Sequence, residues 1–330
     1  MKIFYLLIIL PLTLSGCVAD NSDLRYPFAP MSSRMEKRVD GPTEMDKNKP
    51  TQVIVLGTGM PFPDAYRAGS SIAVIHKGEA YLFDVGAGAV RRAVEARYKY
   101  DIAALYPSQI KAVFITHMHS DHTMDFAELS QTLWWSRRDH LQAYGPVGTQ
   151  TMVDGMYAMM APDTRIREGG KAPGGNLTGY KVDVTEIESG KIFDHDGMTV
   201  EAFRVPHGKI EPSFGYKIVT DDITVVISGD TSFSEVVQEK SIGVDILFHE
   251  AMSDKGYATL PAFWQDYHGA SHTLASQVGK LAAKSRPKKI VLYHVSFFGT
   301  SEQHIIGEIK QYYDGEVVLA NDLDLFLSHE

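Results

Sequence analysis

From Thr51 onward, apolar β-type runs alternate with segments of helical period, as α/β layer architectures do. "TQVIVLG", "SSIAVIH", "AYLFDVG" and "IKAVFITH" predict four strands in the first half. "MTVEAFRV", "SFGYKIVT", "ITVVISGD", "VDILFHE", "KKIVLYHV" and "DLDLFLS" predict six more in the second. Helical patterns fall at residues 89–98, 124–137, 149–160, 233–240, 273–285 and 302–313. Closely spaced strands in each half, with helices between, predict two sheets rather than one doubly wound sheet. "LGTGMP" after the first strand lacks the G-x-G-x-x-G spacing and leads into no helix, so it is a tight turn rather than a phosphate loop. No internal repeat recurs.

The N-terminus breaks this pattern. "MKIFYLLIILPLTLSGCVAD" has Lys2, an apolar run too short to span a bilayer as a helix, and small residues ahead of a cysteine, the layout of a cleavable export signal. "LSGC" also resembles the lipobox of bacterial lipoproteins, which implies a signal peptide at 1–16 and lipidation of Cys17. Val18 follows where an aspartate would favour inner-membrane retention, so the resemblance points to an outer-membrane anchor facing the periplasm. Residues 17–50 are polar and broken by prolines, which suits a tether, and 51–330 carry the folded domain.

At 330 residues, 44% hydrophobic and 22% charged, the composition is that of an ordinary globular protein. A net charge of −9 argues against a general nucleic-acid-binding surface, since phosphate neutralisation needs clustered Lys and Arg; no nucleic-acid partner is expected. Cys17 is the single cysteine, so no intramolecular disulfide forms, and any metal site is built from His, Asp and Glu.

Such residues crowd at one strand end. In "ITHMHSDHTMDF", His117 and His119 are two apart on an extended segment and point the same way, while Asp121 and His122 follow as the chain turns into a helix. Imidazole and carboxylate suit zinc, with iron and manganese as competitors. Two metals need more ligands than one loop supplies. His207 in "FRVPHG", Asp230 in "VVISGDT" and His294 in "IVLYHVS" each close a β-type run and are the candidates.

The ordered set "LGTGMPFPDAYRAGSS", "YLFDVGAGAVRRAV", "ITHMHSDHTMDFAEL", "SFGYKI", "ISGDT", "DILFHEAM" and "SHTLASQVGKLA" resembles the metallo-β-lactamase superfamily over residues 51–327, and within it the branch of ribonuclease Z and the arylsulfatase-like enzymes. The resemblance implies an α+β fold, an αββα sandwich of two mixed β-sheets flanked by helices, with metals at the sheet edges. It implies that His117, His119 and His207 bind one Zn2+, that Asp121, His122 and His294 bind a second, and that Asp230 bridges them. An aspartate at the bridging position argues against β-lactam hydrolysis as the main activity, and a lactonase or β-lactamase-like hydrolase remains an alternative.

Two such ions lower the pKa of a shared water, so the expected chemistry is hydrolysis of an ester by a metal-bridging hydroxide, with no protein nucleophile. His272 aligns with the family's general acid or oxyanion stabiliser, and His268 is the alternative. With Asp121 and Asp64, which lies on the first active-site loop, His272 makes up the expected catalytic group. His249 and Glu250 in "LFHEAM" are expected to support a metal ligand from behind, or to be a buried structural pair. Trp134 and Trp135, late in the helix at 124–137, pack in the core or line an aryl pocket. Phe297, Phe298, Trp264 and Tyr267 are candidate walls for an aromatic leaving group. His76, His140, His195, His304 and His329 read as surface or structural residues.

Ribonuclease Z commonly carries a long arm for the tRNA elbow between the "GYR"-type strand and "SGDT"; here "FGYKIVTDDITVVISGDT" runs straight through. Export is a second objection to precursor tRNA as substrate. The expected function is therefore an exported hydrolase of small sulfate esters or phosphodiesters, possible as a homodimer. Ribonuclease Z-type 3′-tRNA processing is the first alternative, and a non-catalytic zinc-binding lipoprotein is a further one.

Overall fold

The computed structural model describes residues 50–168 and 176–327; the export signal, Cys17, the tether and His329 lie outside the described residues. The first half forms β1 (Gln52–Gly57), β2 (Ser71–His76), β3 (Glu79–Phe83), β4 (Ala112–Phe114), β5 (Leu141–Gly145) and β6 (Val182–Glu186). The second forms β7 (Gly190–His195), β8 (Met198–Arg204), β9 (Phe214–Val219), β10 (Thr224–Ile227), β11 (Ile246–Met252), β12 (Lys289–Ser296) and β13 (Glu316–Leu319). β14 (Leu325–Leu327) returns to the first sheet, beside β1. Each sheet has seven strands, in the orders β14-β1-β2-β3-β4-β5-β6 and β13-β12-β11-β10-β9-β8-β7. Both are mixed in one way: β14 to β3 and β7 to β10 pair antiparallel, whereas β3 to β6 and β10 to β13 pair parallel.

The helices are α1 (Ala89–Tyr100), α2 (Ser120–Thr123), α3 (Phe126–Gln131), α4 (Thr149–Ile166), α5 (Glu235–Lys240), α6 (Asp254–Tyr257), α7 (Ala262–Ser271), α8 (Ala275–Ser285) and α9 (Glu302–Lys310). Strand alternation sorts the core into layers. Val53 and Val55 of β1 point inward, into one cluster with Phe83, Phe114, Phe214, Tyr216, Phe248 and Tyr293 from both sheets. Ile54 and Leu56 point the other way, against Ala89, Val90 and Ala93 of α1. On the far face, Ile290 and Leu292 of β12 pack with Val278 and Ala282 of α8 and Ile305 and Ile309 of α9. The result is the α+β, four-layer αββα sandwich, and among the described residues no helix is long and apolar enough to cross a membrane.

Every strand expected from the sequence is present, and four more appear. β6, β7 and β13 are edge strands with few buried side chains, so they lack the apolar run that marks β1 or β12. β5 is interior, but its "LQAYG" alternates buried and half-buried positions and is short. The helix expected at 124–137 is instead α3 followed by a 3-10 turn at Trp134–Ser136, because Leu133 takes a left-handed φ of 52°. Trp134 is therefore not on that helix; it is fully buried, its ring edge-on to Trp135 and Tyr180.

The loop after β3 meets α2 closely. Val85 donates its N–H to the His122 carbonyl at 2.8 Å, and a Cβ on Gly86 would stand 2.0 Å from the Asp121 carbonyl oxygen. Gly86→Ala therefore displaces the backbone that carries Asp121 and His122, at a cost on the order of 1–3 kcal/mol. Thermal denaturation should show the midpoint several degrees lower, with metal uptake reduced. Gly155→Ala, on the exposed face of α4 with nothing within 4 Å, should leave the midpoint unchanged or raise it. Equal midpoints in the two variants would contradict this packing.

Candidate metal centre

Four strand ends meet at one edge of the sandwich. After β4 the chain stays extended to His119, at the N-terminus of α2. His117 Nε2 lies 3.0 Å from His119 Nδ1, which is 3.2 Å from Nε2 of His207, the residue beyond β8. The far side of two rings fixes their protons. His117 Nδ1 is 2.9 Å from the Thr116 hydroxyl, which itself donates to Asp84, so the imidazole N–H donates there. His207 Nδ1 donates to the Ser271 carbonyl at 2.8 Å. The Nε2 lone pairs of both rings thus face the one nearby His119 nitrogen, which has at most one proton to give, whereas a cation would accept all three nitrogens.

A second set lies alongside. Asp121 Oδ2 is 3.1 Å from His294 Nε2 and 3.5 Å from His122 Nε2. His294 reaches inward because β12 bulges: Leu292 pairs with His249 and Val295 with Ala251, and His294 takes the left-handed region at φ 48°. Asp230 follows Gly229, whose φ of 62° turns the chain just past β10. Its Oδ2 lies 3.3 Å from His294 Nε2, 3.5 Å from His122 Nε2 and 3.9 Å from Nε2 of both His117 and His207. The sequence-predicted ligands thus converge in two groups, His117, His119, His207 and Asp230, and Asp121, His122 and His294; Asp230 and His294 also fall in a third group with His272.

The charge pattern fits divalent cations. Burial pushes His117 well below the ordinary imidazole value, and burial also lowers His119 and His207, so these three are neutral donors. Burial alone would raise the Asp230 carboxyl, but His294 and His122 outweigh it and hold it well below the usual range. His122 runs the other way: burial opposes its charge, yet Asp230 and Asp84 raise it well above the ordinary value. A bound cation would supply the positive charge that this proton supplies. His122 Nε2 and Asp230 Oδ1 are buried with no hydrogen-bond partner, the state expected of atoms shaped for a metal rather than for each other. An all-nitrogen-and-oxygen donor set of this kind suits zinc, manganese or iron.

His272, at the end of α7, lies against both groups, its ring 5.4 Å from that of His207 and 5.7 Å from that of His294. Glu250, expected either to support a metal ligand from behind or to form a buried structural pair with His249, stands beneath His272, with Oε2 3.6 Å from Nδ1, while Oε1 accepts from the Thr273 N–H at 2.8 Å. At 3.6 Å the contact is an ion pair rather than a hydrogen bond. His249 turns its Nδ1 to the Glu250 carbonyl at 2.6 Å. His268 sits one step outward, its ring 5.8 Å from that of His272. Asp64 is exposed, accepts from the Tyr66 N–H at 2.7 Å, and stands at a cavity of about 180 Å³ that Met60, Phe297 and His294 also line. Of the other histidines, His76 is buried and bonded to Thr51, and His140, His195 and His304 pair with Asp183, Glu79 and Glu308.

Asp84 is the residue that reading the sequence missed. Fully buried at the end of β3, it accepts from the Thr116 N–H and hydroxyl and faces His122 Nδ1 at 2.7 Å, fixing the ring that offers Nε2 to the centre. An aspartate straight after an apolar run, in "YLFDVG", was the available signal. Asp84→Asn should weaken metal binding about 10- to 100-fold in competition with a chromophoric chelator. Unchanged affinity would mean that His122 is oriented without Asp84.

Residues 80–295 match the family described as a beta-lactamase superfamily domain. A ribonuclease Z from Mycobacterium sp. (strain KMS) is 36% identical over 205 residues, covering 61% of this chain and 68% of the relative. Among solved structures, the metallo-beta-lactamase fold protein YhfI from Bacillus subtilis aligns with TM-score 0.63 at 18% identity, covering 84% of this chain and 99% of that one. Human tRNase Z, short form, aligns with TM-score 0.59 at 25% identity, covering 83% and 98%. These relatives overturn the expectation that no nucleic acid would be a partner. Net charge sums over a whole surface and is silent about a single cleft, so it was the wrong quantity for that question. With its fold, its converging His and Asp side chains and these relatives, the chain belongs to the metallo-β-lactamase superfamily, as a metal-dependent hydrolase of ester bonds with ribonuclease Z homologues.

Proposed function

We propose that the protein is a dinuclear, zinc-dependent phosphodiesterase of the ribonuclease Z type, which cleaves a phosphodiester bond in RNA. The observation that carries this reading is the single carboxylate oxygen of Asp230, within 3.3–3.9 Å of four imidazole nitrogens and shared between two ligand groups. In this reading His117, His119 and His207 hold one ion, Asp121, His122 and His294 the other, and Asp230 both. When bound, the pair supplies Lewis-acid polarisation of an ester oxygen and a lowered pKa for water.

The protein's own part is to orient the diester and to move a proton. Burial would strip the charge from His272, but Glu250 outweighs it and the imidazole is pushed up to about 9. His272 is therefore a cation near neutral pH, able to face a phosphate oxygen and to protonate the departing alkoxide. Glu250 keeps that proton in place against the repulsion of neighbouring cations. The direct turn between β9 and β10, closed by a Thr220 N–H bond to the Ile223 carbonyl at 3.0 Å, means that RNA is not held by an arm at that point. Export, cleavage of the signal at 1–16 and lipidation of Cys17 are proposed on the N-terminal sequence alone, with a tether over 17–50 ahead of the catalytic domain; an exported enzyme would meet RNA outside the cytoplasm, so precursor tRNA serves below as an assay strand rather than as the assigned substrate.

The test sets precursor tRNA, bis-nitrophenyl phosphate and nitrophenyl sulfate side by side on the protein starting after the tether. The diesters should be cleaved in preference to the sulfate. His272→Ala should lower kcat by about 10²- to 10⁴-fold with metal content retained. Because the acid acts protonated, kcat/KM should fall as pH rises through about 9, and Glu250→Gln should move that fall to lower pH. Preference for the sulfate would shift the assignment to the arylsulfatase-like enzymes, and bound metal without turnover of any ester would leave a metal-binding protein.

A further inference from the structure

Helix α7 turns its aromatic side chains to solvent. Of its residues only Ser271 is buried, and Phe263, Trp264 and Tyr267 are 71%, 47% and 49% exposed. Core packing does not account for them, which is also why no amphipathic pattern marks this helix in the chain. The rings touch edge to face, with Trp264 5.3 Å from Phe263 and 5.8 Å from Tyr267. From Trp264 a series of inclined rings leads inward: His268 at 5.8 Å and 28°, His272 a further 5.8 Å at 35°, and His294 a further 5.7 Å at 23°. Phe298 closes against His268 at 4.9 Å. An exposed aromatic surface is thus continuous, ring by ring, with the proton donor and a residue of the metal cluster.

We infer that Trp264, backed by Tyr267, is a base-stacking subsite that takes an unpaired base of an RNA strand whose cleaved phosphate lies beside His272. This rests on the RNA phosphodiesterase reading and names how that substrate is held. Unpaired bases are recognised chiefly by stacking on aromatic side chains, whatever the base, because each presents a π-face. The local charge agrees: α7 carries Asp266 and neither Lys nor Arg, so phosphate neutralisation by this helix is not the source of affinity here. An apolar patch beside a reacting group marks a ligand surface rather than a random exposure.

The test uses the metal-loaded protein and a short single-stranded RNA, intact or with one abasic nucleotide moved through the positions flanking the cleaved bond. Trp264→Ala should raise KM on the intact strand about tenfold with kcat within about twofold, and Trp264→Phe should restore most of the loss. One abasic position should impose the same loss on the wild-type protein and add nothing to Trp264→Ala. The loss should persist at high salt. An unchanged KM, or additive losses at every abasic position, overturns the subsite. If wild-type protein leaves the RNA uncut, the nuclease reading fails, and fluorescence anisotropy of the labelled strand decides the subsite separately. Binding about tenfold weaker in Trp264→Ala supports it, and equal binding removes it.

Discussion

An ionised carboxylate enclosed by four imidazoles, all withdrawn from water, constrains everything around it. Asp230 and His294 are each 2% exposed, and His117 and His122 are fully buried. Burying such a group costs several kcal/mol unless positive charge and directed contacts compensate. His122 meets part of that need through its proton, while its Nε2 and Asp230 Oδ1 make no hydrogen bond. Divalent cation binding, as proposed for this cluster, would supply the positive charge that the carboxylate needs.

The sandwich exists, in this sense, to deliver strand ends to one place. Two sheets of identical pattern bring β4, β8, β10 and β12 to a common edge, and the inter-sheet core of Phe83, Phe114, Phe214 and Phe248 fixes their separation. Local backbone devices then aim each side chain: the left-handed Gly229 before Asp230, the bulge that throws His294 inward, and the glycine at 86 that lets α2 approach β3. Ligands from four strands cannot adjust independently, so the spacing of the two groups is set by packing rather than by any one loop.

Much of this was legible in the sequence because metal ligands sit where two local signals coincide. His117, His119, His207, Asp230 and His294 each follow an apolar β-type run, and the structure gathers all five with Asp121 and His122. What was hidden depended on contacts between distant segments. Asp84 looks like any aspartate at a strand end until Thr116 and His122 close on it. Glu250 could not be matched to His272 because 22 positions and a loop–helix excursion separate them. Edge strands such as β6 and the outward-facing α7 lacked a buried face, so periodicity could not reveal them. Net charge misled for a related reason: it averages over surfaces that take no part in binding.

The proposed centre holds two cations that share Asp230, with the tilted rings of His272 and His268, 5.8 Å apart, leading outward from it. Anomalous scattering at the zinc edge from crystals of the zinc-loaded protein tests this most directly. The account predicts two strong peaks, one among His117, His119 and His207 and one among Asp121, His122 and His294, each within bonding distance of Asp230. A single peak, or zinc bound away from Asp230, would contradict it.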